Sequence, residues 1–288
     1  MSAGPQAAWL PDGRRLHLHH GPIDLILDAW GAGRGAALEA ARARFETLLE
    51  GLVRDLPALR RPVAEDPVVF DPVARRMVAA ARPHAEVFVT PMAAVAGAVA
   101  DEVLAALTAA GPLAKAYVNN GGDIALHLAA DATPETAFRA MGPTGEIRIE
   151  ASDPARGLAT SGWRGRSHSL GIADAVTVAA RSAAEADVAA TLLANAIDLP
   201  GHPAVSRTPA RALSPDSDLG DRPVTVDVGP LTVREVDAAL DRGAARAEAA
   251  RRRGRLLAAA MSLAGRTRAT PAFPKLSGRI AARDRVEA

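Results

Sequence analysis

Residues 116–128 read AYVNNGGDIALHL. An apolar run enters this stretch, a corner of two amides, two glycines and a carboxylate interrupts it, and a second apolar run leaves it. The alternation on each side predicts a strand pair, and adjacent glycines supply the positive φ that a tight hairpin needs. The same glycines leave backbone N–H groups open to an anion, and the Asn side chains can read a polar ligand edge. Both readings, plain hairpin and ligand cradle, fit Asn119, Asn120, Gly121, Gly122 and Asp123.

Working outward, the middle of the chain is β-rich. AKAYVN, DIALHLA, GEIRIEAS, ARGLATSG, DAVTVAA and PVTVDVG read as strands, and RRLHLHHGPIDLILDA (14–29) reads as a hairpin around Gly21-Pro22. Helical spacing marks 36–56, 73–81, 93–109 and SAAEADVAATLLANAI, with EVFVT as a brief strand before the third. GHPAVSRTPARALSPDSDLGDRP reads as a loop. The chain is expected to finish with one long helix, about 233–264, and a polar tail. This mixture predicts an α+β fold with mixed sheets packed against helices, as one domain over 1–288 with its core at about 14–235.

Composition bounds the function. The chain has 288 residues, 49% hydrophobic and 23% charged, with 3% aromatic, so its core is built of Ala, Val, Leu and Ile. Lys+Arg 34 against Asp+Glu 33 gives no charge-based reason to expect nucleic acid. The absence of cysteine excludes disulfides, Cys-ligated zinc and thiol catalysis. Residues 1–20 lack a basic start followed by an apolar run, and no uninterrupted apolar segment reaches the roughly 18 residues of a membrane span. The expectation is a cytoplasmic protein with no membrane partner, and the alanine-rich helices allow a homo-oligomer. Arg246–Arg255 reads as a solvated helix face or subunit-contact edge, and His17, His19 and His20 as strand or loop residues, split between two faces by the alternation.

Two further stretches carry chemistry. LATSGWRGRSHSLGIADAVTV, from Leu158, sets Thr160, Ser161 and Gly162 after a strand, then Arg164, Arg166 and His168. This dense donor set suits a phosphate or pyrophosphate, or is an ordinary solvated loop. In EADVAATLLANAID, Asp187 and Thr191 lie four apart on one helix face, with Asn195 a turn further. A carboxylate and a hydroxyl so placed suit a hard cation such as Mg²⁺, which prefers oxygen ligands; an exposed carboxylate with a back-bonding Thr is the plainer reading.

The order NNGGDI, ATSG with HSLGIADAVTV, then ADVAATLLANAI, resembles the ApbE superfamily of flavin transferases, and in particular its uncharacterised UPF0280 branch. The small-residue helix VAGAVAD (95–101) resembles the family's Ala-Lys-Gly-x-x-x-Asp segment. The likeness covers about residues 85–200 and, weakly, the N-terminal hairpin. It implies an α+β domain with the nucleotide held in a cleft. It also implies Mg²⁺-dependent cleavage of FAD, with FMN transferred to a Ser or Thr of an acceptor protein and AMP released. Asp187, Thr191 and the backbone carbonyl near Ala93 would hold the metal. The 121–123 and 160–162 turns would line the flavin nucleotide, and His168 would lie near the reaction centre. Two departures stand out: the family lysine is Ala96 here, and the family's His-x-x-Asp-Pro-x-x-Gly stretch is replaced by a shorter run from His168 to Asp174. The alternative is a non-catalytic module binding a flavin, a pterin-like compound or another nucleotide on the same fold.

Overall fold

The computed structural model describes residues 4–131, 133, 137–142 and 145–271. Period-2 burial builds its first strands. β2 (Leu16–His20) buries Leu16, Leu18 and His20 and turns His17 and His19 the other way; β3 (Ile23–Trp30) pairs with it across the Gly21 turn. β1 (Gln6–Trp9), not expected from the sequence, adds the outer edge. Beyond β3 come β4 (Lys115–Asn120) and β5 (Asp123–Leu128). Next are β8 (Gly157–Ser161) and β9 (Ala175–Ala180), then β12 (Ala258–Leu263) and β13 (Arg266–Ala269). Together these form one nine-stranded sheet in the order β1-β2-β3-β4-β5-β8-β9-β12-β13. The expectation of mixed sheets narrows to antiparallel pairing between neighbours.

Helices follow the strands across one face of the sheet. α1 (Arg34–Glu46) lies on β2 and β3, and α4 (Val95–Ala109) on β4 and β5. α5 (Ala183–Ala196) covers β8 and β9, and α7 (Val233–Arg252) covers β12 and β13. α3 (Pro72–Ala81), capped by the Asp71 carboxylate on the N–H groups of Val73 and Ala74, packs on α4 and α5. The run Pro91–Ala109 is long and apolar enough by composition to cross a bilayer. Its α4 portion packs against α1, α3 and α5. On the opposite face, the hairpin β6 (Phe138–Gly142) and β7 (Gly145–Ile149) brings Phe138, Ile147 and Ile149 against Leu126, Leu128 and Leu158.

Several sequence expectations are corrected. The predicted helix over 36–56 is two helices, α1 and α2 (Leu48–Leu59), broken at Thr47; Pro57 lies inside the second rather than ending it. EVFVT forms no strand, and a 3₁₀ turn, Pro91–Ala94, precedes α4. The predicted loop over 201–223 contains β10 (Val205–Pro209), which pairs with β11 (Pro223–Val228), and the short α6 (Ala210–Leu213). The single long C-terminal helix ends at Arg252. Gly254 adopts φ 70°, and the N–H of Arg255 bonds back to the Ala250 carbonyl, so the chain turns out of the helix. RLLAAAMSL then enters the sheet beside β9 as a strand buried on both faces, which leaves no alternation to read. The polar tail beyond 271 lies outside the described residues.

Candidate functional site

The Asn119–Asp123 corner is a two-residue hairpin. Asn120 pairs with Asp123, and Gly121 and Gly122 carry φ 64° and 116°. The Asn119 side-chain oxygen accepts from the Gly122 N–H at 2.8 Å. Asn120 is buried and donates from Nδ2 to the Ala96 carbonyl at 3.1 Å, which ties the turn to the start of α4.

That helix start meets α5 at close range. A Cβ on Gly97 would stand 2.2 Å from the Ala183 carbonyl oxygen, so only glycine permits the approach. The helices cap one another. Asp187 of α5 accepts from the Gly97 N–H at 3.0 Å, and Asp101 of α4 accepts from Ala183 and Ala184 at 3.0 and 2.9 Å.

Asp187, Thr191 and Asn195 face one cleft of about 530 Å³ together with Ala93, Asp123, Arg166 and His168. The helical spacing thus sets Asp187, Thr191 and Asn195 on one face. Asp187 has no basic partner among the described residues, and its carboxyl is pushed well up, chiefly by burial and then by the Asp123 charge. Burial likewise raises the Asp123 carboxyl, to about 7, against the opposing effects of the Thr160 N–H and Arg166. Arg166 lies across the hairpin, where a Cβ on Gly121 would be 1.9 Å from its Nη2. Asn195 steadies the His168 loop by accepting from the Leu170 N–H at 2.9 Å and the Ser169 hydroxyl at 3.3 Å.

The donor set fits a magnesium ion. Two mutually repelling half-buried carboxyls with no basic partner on Asp187 among the described residues, a hydroxyl one turn along and a carbonyl-bearing 3₁₀ turn at Ala93 are hard oxygen chemistry. No group of three or more His, Cys, Asp or Glu with metal-holding geometry occurs among the described residues. An ion here would complete its shell with neutral oxygens and ligand phosphates, as Mg²⁺ usually does.

The remaining residues singled out in the sequence divide. Asn119, Gly121, Gly122 and Thr160 line a second cavity on the other face of the sheet. Neither cavity is lined by Ser161 or Gly162. Arg164 is 63% exposed, pairs with Asp174 at 3.1 Å and lies over the Trp163 ring. Sequence reasoning missed the far wall of the cleft, formed by Ser214, Ser217, Asp218 and Leu219. The Thr90 hydroxyl donates to the Asp218 carboxylate at 2.5 Å, which straps that wall to the entry of α4. The Ser/Asp-rich composition of 214–221 was the available signal.

A family model described as AbpE bacteria matches residues 7–269. The chain belongs to that family. This AbpE-family chain is 39% identical over 113 residues to a UPF0280 protein of Methanothrix thermoacetophila, covering 38% of the chain and 46% of the relative. It is 37% identical over 139 residues to one of Methanococcoides burtonii, covering 46% and 55%. It is 41% identical over 113 residues to one of Methanocaldococcus jannaschii, covering 38% and 45%. The chain thus spans about half the length of the curated relatives it matches. Its fold is similar to the crystal structure of the Pseudomonas stutzeri flavinyl transferase ApbE in its apo form. The TM-score is 0.50 at 15% identity, covering 96% of this chain and 99% of that one. The resemblance to the ApbE superfamily and its UPF0280 branch holds, and the family match reaches well beyond residues 85–200.

Proposed function

We propose that the cleft binds a flavin nucleotide, FAD, through its pyrophosphate together with Mg²⁺ at Asp187, Thr191 and the Ala93 carbonyl, and transfers FMN to a protein hydroxyl. The observation that carries this reading is the half-buried Asp187 carboxyl, without a basic partner among the described residues, facing the same space as Asp123 and Thr191. The flavinyl transferase likeness in fold supports the choice of nucleotide. Bound Mg²⁺ supplies charge neutralisation to the pyrophosphate.

The chain's own residues do the rest. Arg166, poised across Gly121, meets phosphate oxygens in the position left uncharged by Ala96. The imidazole of His168 takes the proton from the acceptor Ser or Thr hydroxyl. That oxygen then bonds to the FMN phosphorus as the bond to AMP breaks. A second reading, nucleotide binding without transfer, is favoured by Ala96 and the short run after His168. The two readings share the cleft and differ in AMP release.

Titration of the purified chain with FAD, in Mg²⁺ and then in EDTA, with AMP assayed in the same samples, tests both. Mg²⁺-dependent binding is expected, and Asp187→Asn should weaken it by at least about tenfold, the effect of losing one charged contact. If that variant binds FAD as the wild type does, the metal assignment fails. Binding without AMP in the presence of a Ser/Thr acceptor peptide selects the second reading.

A further inference from the structure

A cavity larger than the nucleotide cleft lies elsewhere in the chain. It encloses about 660 Å³ on the opposite face of the sheet, between β4, β5, β8 and the β6–β7 hairpin. That size suits a small organic molecule. Its walls gather scarce residues. The only tyrosine, one of three tryptophans and one of five phenylalanines meet there as Tyr117, Trp30 and Phe138. The Trp30 and Tyr117 rings are 6.1 Å apart and Tyr117 and Phe138 6.0 Å, all tilted, which leaves ring faces and edges presented to the space.

Among the described residues, Lys115 and Arg139 line it and no acidic side chain does. Lys115 donates to the Ala137 carbonyl at 3.0 Å, with its Nζ 5.1 Å from the Trp30 ring and 5.7 Å from Phe138. Asp28, the carboxylate whose charge reaches Lys115, is already held by Arg14 at 2.6 Å and Arg34 at 3.1 Å. Burial, and then the Arg139 charge, lower the Lys115 pKa against the opposing pull of Asp28. On the floor, the Thr160 and Thr177 hydroxyls bond at 2.9 Å and offer further polar contacts.

We propose that this cavity is a second ligand site, independent of the nucleotide cleft, and that it takes a flat aromatic carboxylate: the ring among Trp30, Tyr117 and Phe138, the acid group on Lys115. The ring faces and edges together with the half-buried Lys115 cation favour such an anion over a neutral molecule of the same shape. The two sites share one wall, since Gly122 lines this cavity and Asp123 the cleft.

Isothermal titration of the full-length chain with 2-naphthoate and its neutral isostere 2-naphthamide tests the assignment. The carboxylate should bind about tenfold more tightly than the amide, as one charge-assisted contact warrants. Lys115→Met should remove that difference and leave the amide affinity unchanged. Saturating FAD with Mg²⁺, or Asp187→Asn, should leave naphthoate binding intact. Equal affinities of the two probes in the wild type overturn the proposal without need of any variant, as does absence of binding. Competition by FAD, or loss of naphthoate binding in Asp187→Asn, overturns it by placing the ligand in the cleft. Failure of the nucleotide reading shows separately, as FAD binding by Asp187→Asn.

Discussion

At Gly121 a methyl group would sit 1.9 Å from the Arg166 guanidinium, whereas at Gly122 it would meet nothing within 4 Å. The two glycines therefore separate the roles of the turn. Gly121→Ala occupies the left-handed region at φ 64°, which costs about 1 kcal/mol, and it pushes the flexible end of Arg166 off the hairpin. FAD affinity should fall with little change in melting temperature. Gly122→Ala, at φ 116°, is the more strained substitution, and should lower the melting temperature further while leaving FAD affinity near wild type. Equal affinity losses in both variants would detach Arg166 from nucleotide binding. The hairpin itself was legible because its turn chemistry is local. Its division of labour was partly legible too: a period of two must send Asn119 and Asn120 to opposite faces, toward the outer cavity and toward Ala96 respectively. Arg164 and Arg166 carried no such signal, because loop residues have no period. One stacks on Trp163 and pairs with Asp174 while the other reaches the cleft.

Between elements, the α4–α5 seam is the part of the site with the least tolerance. Gly97→Ala places a methyl against backbone, 2.2 Å from the Ala183 oxygen and 2.7 Å from the Ala184 nitrogen, and nothing flexible is available to yield. Overpacking of this kind costs about 1–3 kcal/mol. A matching drop in the urea midpoint is expected, together with weaker FAD binding, because Asp187 loses its bond from Gly97. An unchanged midpoint would show that the helices can separate freely. Asp-x-x-x-Thr at helical spacing was enough to place Asp187 and Thr191 on one face. That Asp101 and Asp187 each cap the other's helix was not legible, since the partners lie 82 to 90 residues apart in the chain. The break at Thr47 has no glycine or proline to mark it. The strand at 258–263 hid for the opposite reason: with nearly every position buried, an alanine-rich strand and a buried helix read alike.

Across the whole molecule, the most distant tie is electrostatic. Arg246, Arg253 and Arg255 converge on Glu86, joining the end of α7 to the segment before α4, so arginines expected as a solvated face or subunit-contact edge hold a specific carboxylate. His84 is buried beneath them. Burial first, then Arg255 and Arg246, lower its pKa to about 4, against the opposing pull of Glu86. Below the ordinary histidine range the unfolded chain binds a proton that the folded chain refuses, so this residue makes stability fall as pH drops from about 6.5 to about 4. Urea melts of wild type and His84→Gln across that range isolate the effect, because other titrating groups cancel in the difference. The wild type should lose ground to the variant by up to about 1.4 kcal/mol per pH unit; a constant difference would show that His84 does not titrate there. The order of the sheet has a consequence of its own. Strand order equals chain order, with the β6–β7 and β10–β11 hairpins set aside from the series. β9, buried along its whole length, is covered on its far side only by β12. During synthesis it therefore waits through 77 further residues with a largely apolar open edge, and a nascent chain stalled before residue 258 presents the very surface on which foreign strands add and aggregates grow.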